Sequence, residues 1–322
     1  MSDIVFRTYR PGDETAINDG FNQVFGVNRS LAEWRWKYPA KPEGFWILLA
    51  CDSNGTLLVH YGVIPVRLQA GAVTFRGGQI VDVYSVEGAH QGLATARTFI
   101  QTVLTFRERL FHPDKLGLVY GFPGLRHLRL GLMRTDYHQL EPQPVTVWRR
   151  DFKVRGSFFS RYTVRPGFDP AAVDTLWTKA RGRYALAGVR DSAWFGRRFE
   201  GRPGVSYHHL SVWRGGAPHA WATIRVGTPV CYWADLVWDG EDPRALVALD
   251  RAVLRLARRA GARSVEMWLD ADPESARTLA DIGWQGAQHP DVSLVVRTIH
   301  PAVDPASVPG RFYVTMADAD LV

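Results

Sequence analysis

Val81-Asp82-Val83-Tyr84-Ser85-Val86-Glu87-Gly88-Ala89-His90-Gln91-Gly92-Leu93-Ala94-Thr95-Ala96 is the most informative run in this 322-residue chain. It begins as an apolar strand broken by one acid, passes through a turn of small residues, and opens a long amphipathic helix. Free N–H groups at such a strand-to-helix turn, with the helix dipole behind them, form an anion site. Gly92 and Ala94 would let the backbone approach a pyrophosphate closely. An ordinary βα turn, in which small residues only relieve crowding, gives the same local pattern. The surrounding chain therefore decides the reading.

Outward from this run, landmarks recur in one order. Arg10-Pro11-Gly12 recurs as Arg165-Pro166-Gly167, 155 residues later. The aromatic-basic helix around Trp34-Arg35-Trp36 recurs around Trp194-Phe195, and the hairpin turn Asn54-Gly55 recurs as Gly215-Gly216. Asp82 recurs as Asp235, and Leu130-Gly131-Leu132 as Ile282-Gly283-Trp284. A nearly fixed offset of this length is too long for a solenoid and predicts two copies of one domain. The expected division is residues 1–150, residues 160–300, and a tail over 301–322. The boundary is expected between Val147 and Arg161, where Trp148-Arg149-Arg150-Asp151 leaves the periodic pattern. The tail belongs to neither copy and could return to the first domain.

Composition bounds the function. Hydrophobic residues make up 46% and charged residues 22%, which reads as globular and soluble. The two cysteines, Cys51 and Cys231, make no disulfide framework, so a reducing cytoplasm is expected. The longest clean apolar run, Phe45 to Cys51, is far short of the ~20 residues of a membrane span. Net charge is +7, and only five of the 39 basic residues are lysines. Arginine suits phosphate geometry, although a genome-wide codon bias gives the same count. No interleaved basic-aromatic stripe or recognition-helix signature is present, so nucleic acid is not an expected partner. No His-x-x-x-His or His/Cys spacing occurs, so no metal is expected. His208 and His209, adjacent in a strand, would face opposite ways.

Each half predicts the same succession. A strand leads to a helix with acid in its first turn, then to the aromatic helix. A hairpin follows, pairing Phe45–Asp52 with Thr56–Val66 or Ser206–Arg214 with Ala217–Val226. Next come a buried strand (Gln79–Val86 or Val230–Trp238), a long helix, another strand (Leu116–Tyr120 or Ser264–Leu269) and a short helix. This predicts an α/β (mixed α+β) fold of two tandem domains, each a mixed, mostly antiparallel sheet flanked by helices.

This order, with the small-residue turn between a fourth strand and a third helix, resembles the GNAT acyltransferase superfamily. In that superfamily the turn reads Arg/Gln-x-x-Gly-x-Gly/Ala. Here Ala89-His90-Gln91-Gly92-Leu93-Ala94 matches at Gly92 and Ala94 and departs at Ala89. Leu130-Gly131-Leu132 resembles the closing Leu-Gly-Phe of that superfamily, and Gly121-Phe122-Pro123 and the ending Tyr313-Val314-Thr315-Met316-Ala317-Asp318-Ala319-Asp320 are similar to a subgroup of tandem GNAT proteins. The resemblance implies an N-acyltransferase that moves an acetyl group from acetyl-CoA to a small-molecule or sugar amine. It implies a cofactor site of Val83, Tyr84, Ser85, His90, Gln91, Gly92, Leu93, Ala94 and Thr95. The matching turn of the second copy, Asp239-Gly240-Glu241-Asp242-Pro243-Arg244, carries acid and proline where a pyrophosphate would lie. The first copy is thus the expected cofactor half and the second a degenerate partner.

Acyl transfer needs an amine deprotonated, an oxyanion stabilised and a thiolate protonated. The resemblance implies backbone N–H groups near Tyr84 and Ser85 as oxyanion donors. The slot of the family's acidic Tyr is His127, a residue that can donate near neutral pH, with Tyr120 in reserve. Asp82 is the expected base, or else a strand acid paired with a nearby Arg. Trp34 and Trp36 could wall the acceptor or pack the core, and Asp318 and Asp320 could bind its amine. Two other functions stay open: a non-catalytic CoA- or ligand-binding protein, and aminoacyl transfer from charged tRNA. A monomer or homodimer is expected.

Overall fold

The computed structural model describes residues 4–38, 45–86, 93–124, 128, 141–152 and 160–320. In chain order the elements are β1 (Val5–Thr8), α1 (Glu14–Phe25), α2 (Leu31–Lys37), β2 (Trp46–Cys51), β3 (Leu57–Ala70), β4 (Val73–Ser85), α3 (Leu93–Leu110) and β5 (Leu118–Gly121). They continue with β6 (Gln143–Asp151), β7 (Thr163–Pro166), α4 (Pro170–Ala180), β8 (Leu186–Gly188), α5 (Ser192–Phe199), β9 (Tyr207–Arg214), β10 (Ala217–Arg225) and β11 (Val230–Trp238). The last are α6 (Pro243–Arg259), β12 (Ser264–Trp268), α7 (Pro273–Asp281), β13 (Gln285–Thr298) and β14 (Phe312–Tyr313).

The chain forms two compact units. The first holds Met1–Arg67, Phe75–Gln143 and Val292–Ala306; the second holds Leu68–Thr74, Pro144–Asp291 and Ser307–Val322. In the first unit the strand order is β1-β2-β3-β4-β5-β13. Pairing is antiparallel except between β4 and β5. In the second the order is β7-β9-β10-β11-β12-β6, and only β11 and β12 run parallel. Each unit is therefore the mixed, mostly antiparallel sheet that the sequence predicts, with a long helix joining β4 to β5 in the first and β11 to β12 in the second.

Strand alternation builds the first core. On β2, Leu48 and Ala50 point to one face, where they meet Val59, Tyr61, Phe99, Val103 and Phe106. Ile47, Leu49 and Cys51 point to the other, against Ile17, Trp34, Tyr38, Val81 and Tyr84. Helix α3 thus covers one face, and α1 and α2 the other. The buried stripe of α3 is Phe99-Val103-Phe106, with Ile100 packed at its margin. Burying this set in place of leaving it in water supplies about 1.5–3 kcal/mol per large apolar side chain. In the second unit β10 and β11 are buried nearly throughout, and α4 and α6 both pack on them.

The Arg-Pro-Gly turns behave alike. Gly12 has φ +105 and Gly167 φ +102, a region that L side chains rarely adopt. Glycine there lets each chain leave its first strand and turn into a helix.

Two expectations are corrected. Trp148–Asp151 does not leave regular structure: it is the end of β6, with Asp151 opposite Ser264 and Trp148 opposite Met267. Alternation of Val145 and Val147 with polar residues carried the signal, and the arginine run masked it. The tail is divided, since residues to Ala306 count with the first unit and Ser307 onward with the second. Within the second unit, β14 adds parallel to β8. No helix among the described residues is long and apolar enough to cross a membrane.

Candidate functional site

In the first unit, β4 and β5 share a short parallel ladder, from Gly77 opposite Leu118 to Gln79 opposite Tyr120. Beyond it β4 runs on to Ser85, while β5 ends at Gly121, whose added Cβ would meet Ile80 at 3.2 Å. Past Ile80 the end of β4 has no partner on β5 among the described residues. Val83 and Ser85 are half-buried there, and Tyr84 is buried between them.

Asp82 sits inside this stretch at φ +49, an uncommon conformation for a non-glycine residue. Strain of this kind, about 1–3 kcal/mol, persists only where surroundings fix the residue. Three groups fix it. Arg29 Nη1 reaches Asp82 Oδ2 at 2.6 Å, Lys37 Nζ reaches Oδ1 at 2.6 Å, and Tyr38 Oη donates to Oδ2 at 2.8 Å. Burial works against the carboxylate, but Lys37 and Arg29 outweigh it and hold Asp82 well below the usual range. Such a group is a poor proton acceptor. The geometry gives Asp82 a positioning role, the paired-acid alternative read from the sequence.

The aromatic helix supplies these partners. Ser30 caps α2 through a reciprocal box with Glu33, which sets Arg29 just before the helix and Lys37 at its end. Trp34 is 3% exposed and packs on Tyr38 and Tyr9, so it belongs to the core. Trp36 is half-buried. Gly62 leaves room for this arrangement, because a Cβ there would lie 2.8 Å from Tyr38 Oη.

Sequence reasoning missed His60. It is fully buried, donates from Nδ1 to the Asp82 carbonyl at 2.5 Å, and stacks on Tyr84 with ring centroids 5.1 Å apart. The carbonyl partner fixes the proton on Nδ1. Burial pushes its pKa down to about 4. Tyr84 Oη donates to the Ile17 carbonyl at 2.5 Å, and burial pushes its own pKa far up. The alternation Leu58-Val59-His60-Tyr61-Gly62 put His60 on the α1–α2 face and was the one available clue.

Of the remaining site residues, Ala94 and Thr95 begin α3, Ala94 exposed and Thr95 half-buried, and Leu93 is its first residue. Tyr120 is buried on β5 opposite Val296. His90, Gln91, Gly92 and His127 lie outside the described residues. Asp318 is in the second unit. It caps a short 3₁₀ turn with Thr315 and forms a buried ion pair with Arg190. Asp320 is exposed.

The second unit has its own buried acid. Arg190 Nε lies 3.4 Å from Asp235 Oδ1, and Thr315 Oγ1 donates to that oxygen at 2.7 Å. Burial pushes the Asp235 carboxyl up to about 6. The acids of its β11–α6 turn serve internal bonds: Asp239 accepts from His219 at 2.8 Å, and Asp242 caps α6. His219, Asp239 and Glu241 bring ligand-type atoms within 4.8 Å of one another, with Lys179 Nζ 3.9 Å from Asp239 and 3.8 Å from Glu241. That ammonium already supplies the positive charge a cation would bring. His209 is buried and His208 exposed, as strand alternation requires. Both cysteines are buried free thiols.

No protein-family model matches the chain, and no curated protein does. Solved structures match over nearly its full length. A GCN5-related N-acetyltransferase from Anabaena variabilis aligns at TM-score 0.67 and 10% identity, covering 92% of this chain and 73% of that one. A tandem GNAT protein from the clavulanic acid biosynthesis pathway aligns at 0.58 and 12% identity, covering 94% and 100%. The fold is a GNAT fold. N-myristoyltransferase of Saccharomyces cerevisiae, solved with bound myristoyl-CoA, shares it at TM-score 0.58 and 12% identity, covering 92% and 83%.

Proposed function

We propose that the chain is an N-acyltransferase that moves an acyl group, acetyl in the simplest case, from acyl-CoA to the amine of a small molecule or sugar. The observation that carries this reading is the parallel β4–β5 pair, whose ladder stops at Gln79 and Tyr120 while β4 continues to Ser85 and on toward α3. A strand end that outruns its partner in this way leaves backbone groups without a ladder partner on that side, ahead of a helix start, which suits an extended anionic thioester. The matching structures support the class, since one is an N-acetyltransferase and another was solved with bound myristoyl-CoA.

Acyl-CoA supplies the activated thioester. The residues to hold it are Val83–Ser85, the turn through His90, Gln91 and Gly92, and Leu93–Thr95. Backbone N–H groups near Tyr84 and Ser85 stabilise the oxyanion. His127 donates the proton to the leaving thiolate, and Tyr120 is its reserve. Asp82 fixes the backbone of β4 through its ion pairs and takes no proton. The acceptor amine brings its own class: sugar amine, polyamine, peptide and antibiotic are all compatible.

The chain reads as two copies, the first active and the second a degenerate partner. The shared strand order supports this, as does a buried Arg–Asp pair before the aromatic helix of each unit. A non-catalytic ligand-binding role is the second reading, favoured by Ala89 and by the saturated carboxylate of Asp82. Calorimetry with acetyl-CoA and with myristoyl-CoA tests both. Saturable heat with at least one thioester is expected, followed by thiol release when amines are added. Heat without turnover across an amine panel would favour the binding role, and silence with folded protein would overturn both.

A further inference from the structure

The second unit contains a cavity of about 290 Å³ whose wall carries Arg161, Arg214, Arg244 and Arg251 against a single carboxylate, Asp242. Its construction follows from the sequence. Thr163 on β7 pairs with Trp213 on β9, which puts Tyr162 and Arg214 side by side at the strand ends. Arg244, Val247, Ala248 and Arg251 are spaced i, i+3, i+4 and i+7, so they form one stripe of α6.

Asp242 is fully engaged. Its Oδ2 accepts from Tyr162 Oη at 2.9 Å and from Arg214 Nη1 at 3.3 Å. Its Oδ1 accepts from the Arg244 backbone N–H at 2.9 Å and from Arg244 Nε at 3.1 Å. The wall thus carries four guanidinium groups to one carboxylate, and the N-terminal dipole of α6 adds to the positive side. Like charges gathered around a concavity repel one another, and an anion in the cavity relieves that repulsion.

We propose that this cavity binds the phosphoryl group of a small molecule. Guanidinium groups on several sides match a tetrahedral dianion better than a planar carboxylate. Val247, Ala248 and the Tyr162 ring give an apolar wall for an organic portion of the ligand. A cavity of this size accepts one phosphorylated fragment, whereas a polynucleotide needs a stripe of cations along its backbone. The site is separate from the acyl-CoA reading. It lies at the β7–β9 edge, with β10 and β11 between it and β12, and that reading is not needed for it.

Titration calorimetry of the full chain with inorganic phosphate and with pyrophosphate, at fixed ionic strength, tests the proposal. Saturable binding is expected, with sulfate competing and chloride not. Arg161→Gln and Arg251→Gln should each weaken it by about tenfold, the loss of one charge-assisted contact. Gly92→Glu should leave it unchanged, which separates this site from the cofactor half. Should a variant fail to fold, the side-chain Nε–H resonances of Arg161 and Arg251 in the wild-type protein give the same answer and should move as phosphate is added. No saturable binding at millimolar phosphate, unaltered affinity in both variants, or static arginine resonances would each overturn the proposal.

Discussion

Arg29 Nη1 and Asp82 Oδ2 lie 2.6 Å apart, both nearly inaccessible to solvent, and they tie the start of the aromatic helix to the strained turn of β4. Lys37 holds the other oxygen at the same distance. Removing the acid leaves two buried cations without a counter-charge. Asp82→Asn should cost about 3–5 kcal/mol of unfolding free energy. Pairing it with Lys37→Met should recover part of that loss. Denaturant titration of the four members of the cycle measures it, and an unchanged stability with collapsed turnover would restore Asp82 as the base.

Acid should affect the two units in opposite directions. Folded His60 stays neutral down to about 4, whereas its ordinary value is 6.5, so between those values only the unfolded chain gains the proton. Acidification through that window therefore weakens the first unit, by about 3 kcal/mol at full extent. Asp235 is the reverse case. Its carboxyl takes a proton near 6 when folded and near 3.8 when unfolded, so the same acidification strengthens the second unit by a similar amount. Hydrogen exchange, corrected for intrinsic rate, should show β3 and β4 losing protection and β11 gaining it between neutral and mildly acidic pH. His60→Gln should flatten the first response and Asp235→Asn the second.

Gly92→Glu should abolish acyl-CoA binding, because a carboxylate would enter the proposed phosphate turn. The matching glycine of the second unit makes a poor control. Gly240 has φ +78, and a Cβ there would lie 2.6 Å from Arg183 Nε. Glu241→Gln, at an exposed residue of the same turn, is the better one and should leave acyl-CoA affinity intact. Loss of affinity there would move the cofactor site to the second unit.

His127→Ala should lower kcat by about a hundredfold or more while leaving KM for acyl-CoA in place, as expected for loss of a general acid. The limb of the pH–rate profile that requires its proton should vanish with it. Tyr120→Phe should retain that limb. The opposite pattern would exchange the two roles.

Much of this architecture was legible because it rests on local chemistry. Asn-Gly and Gly-Gly marked the hairpins that hold β2 with β3 and β9 with β10, and Val230–Trp238 was read to the residue as β11. What was missed depends on distant partners. β6 and β13 take their places beside strands more than 100 residues away, and nothing near Trp148 or Val295 announces this. Asp82 looked like a base because its strand is apolar. The two cations that silence it come from the end of α2 and from just before its start, 45 and 53 residues earlier. His60 was invisible for the same reason, since its importance comes from the carbonyl of Asp82 and the ring of Tyr84.

β13 carries a consequence for how the protein is made. Its last residues, Val295–Thr298, pair with Leu118–Gly121 and finish a sheet begun at Val5, while β6 from the first half of the chain finishes the other. On the ribosome, the first unit must wait with an open edge until almost the whole polypeptide has emerged. A cut between β6 and β7 would leave the first sheet without β13 and the second without β6. The two units are thus tied together by the path of the chain, each completed by a strand from the other side of the sequence.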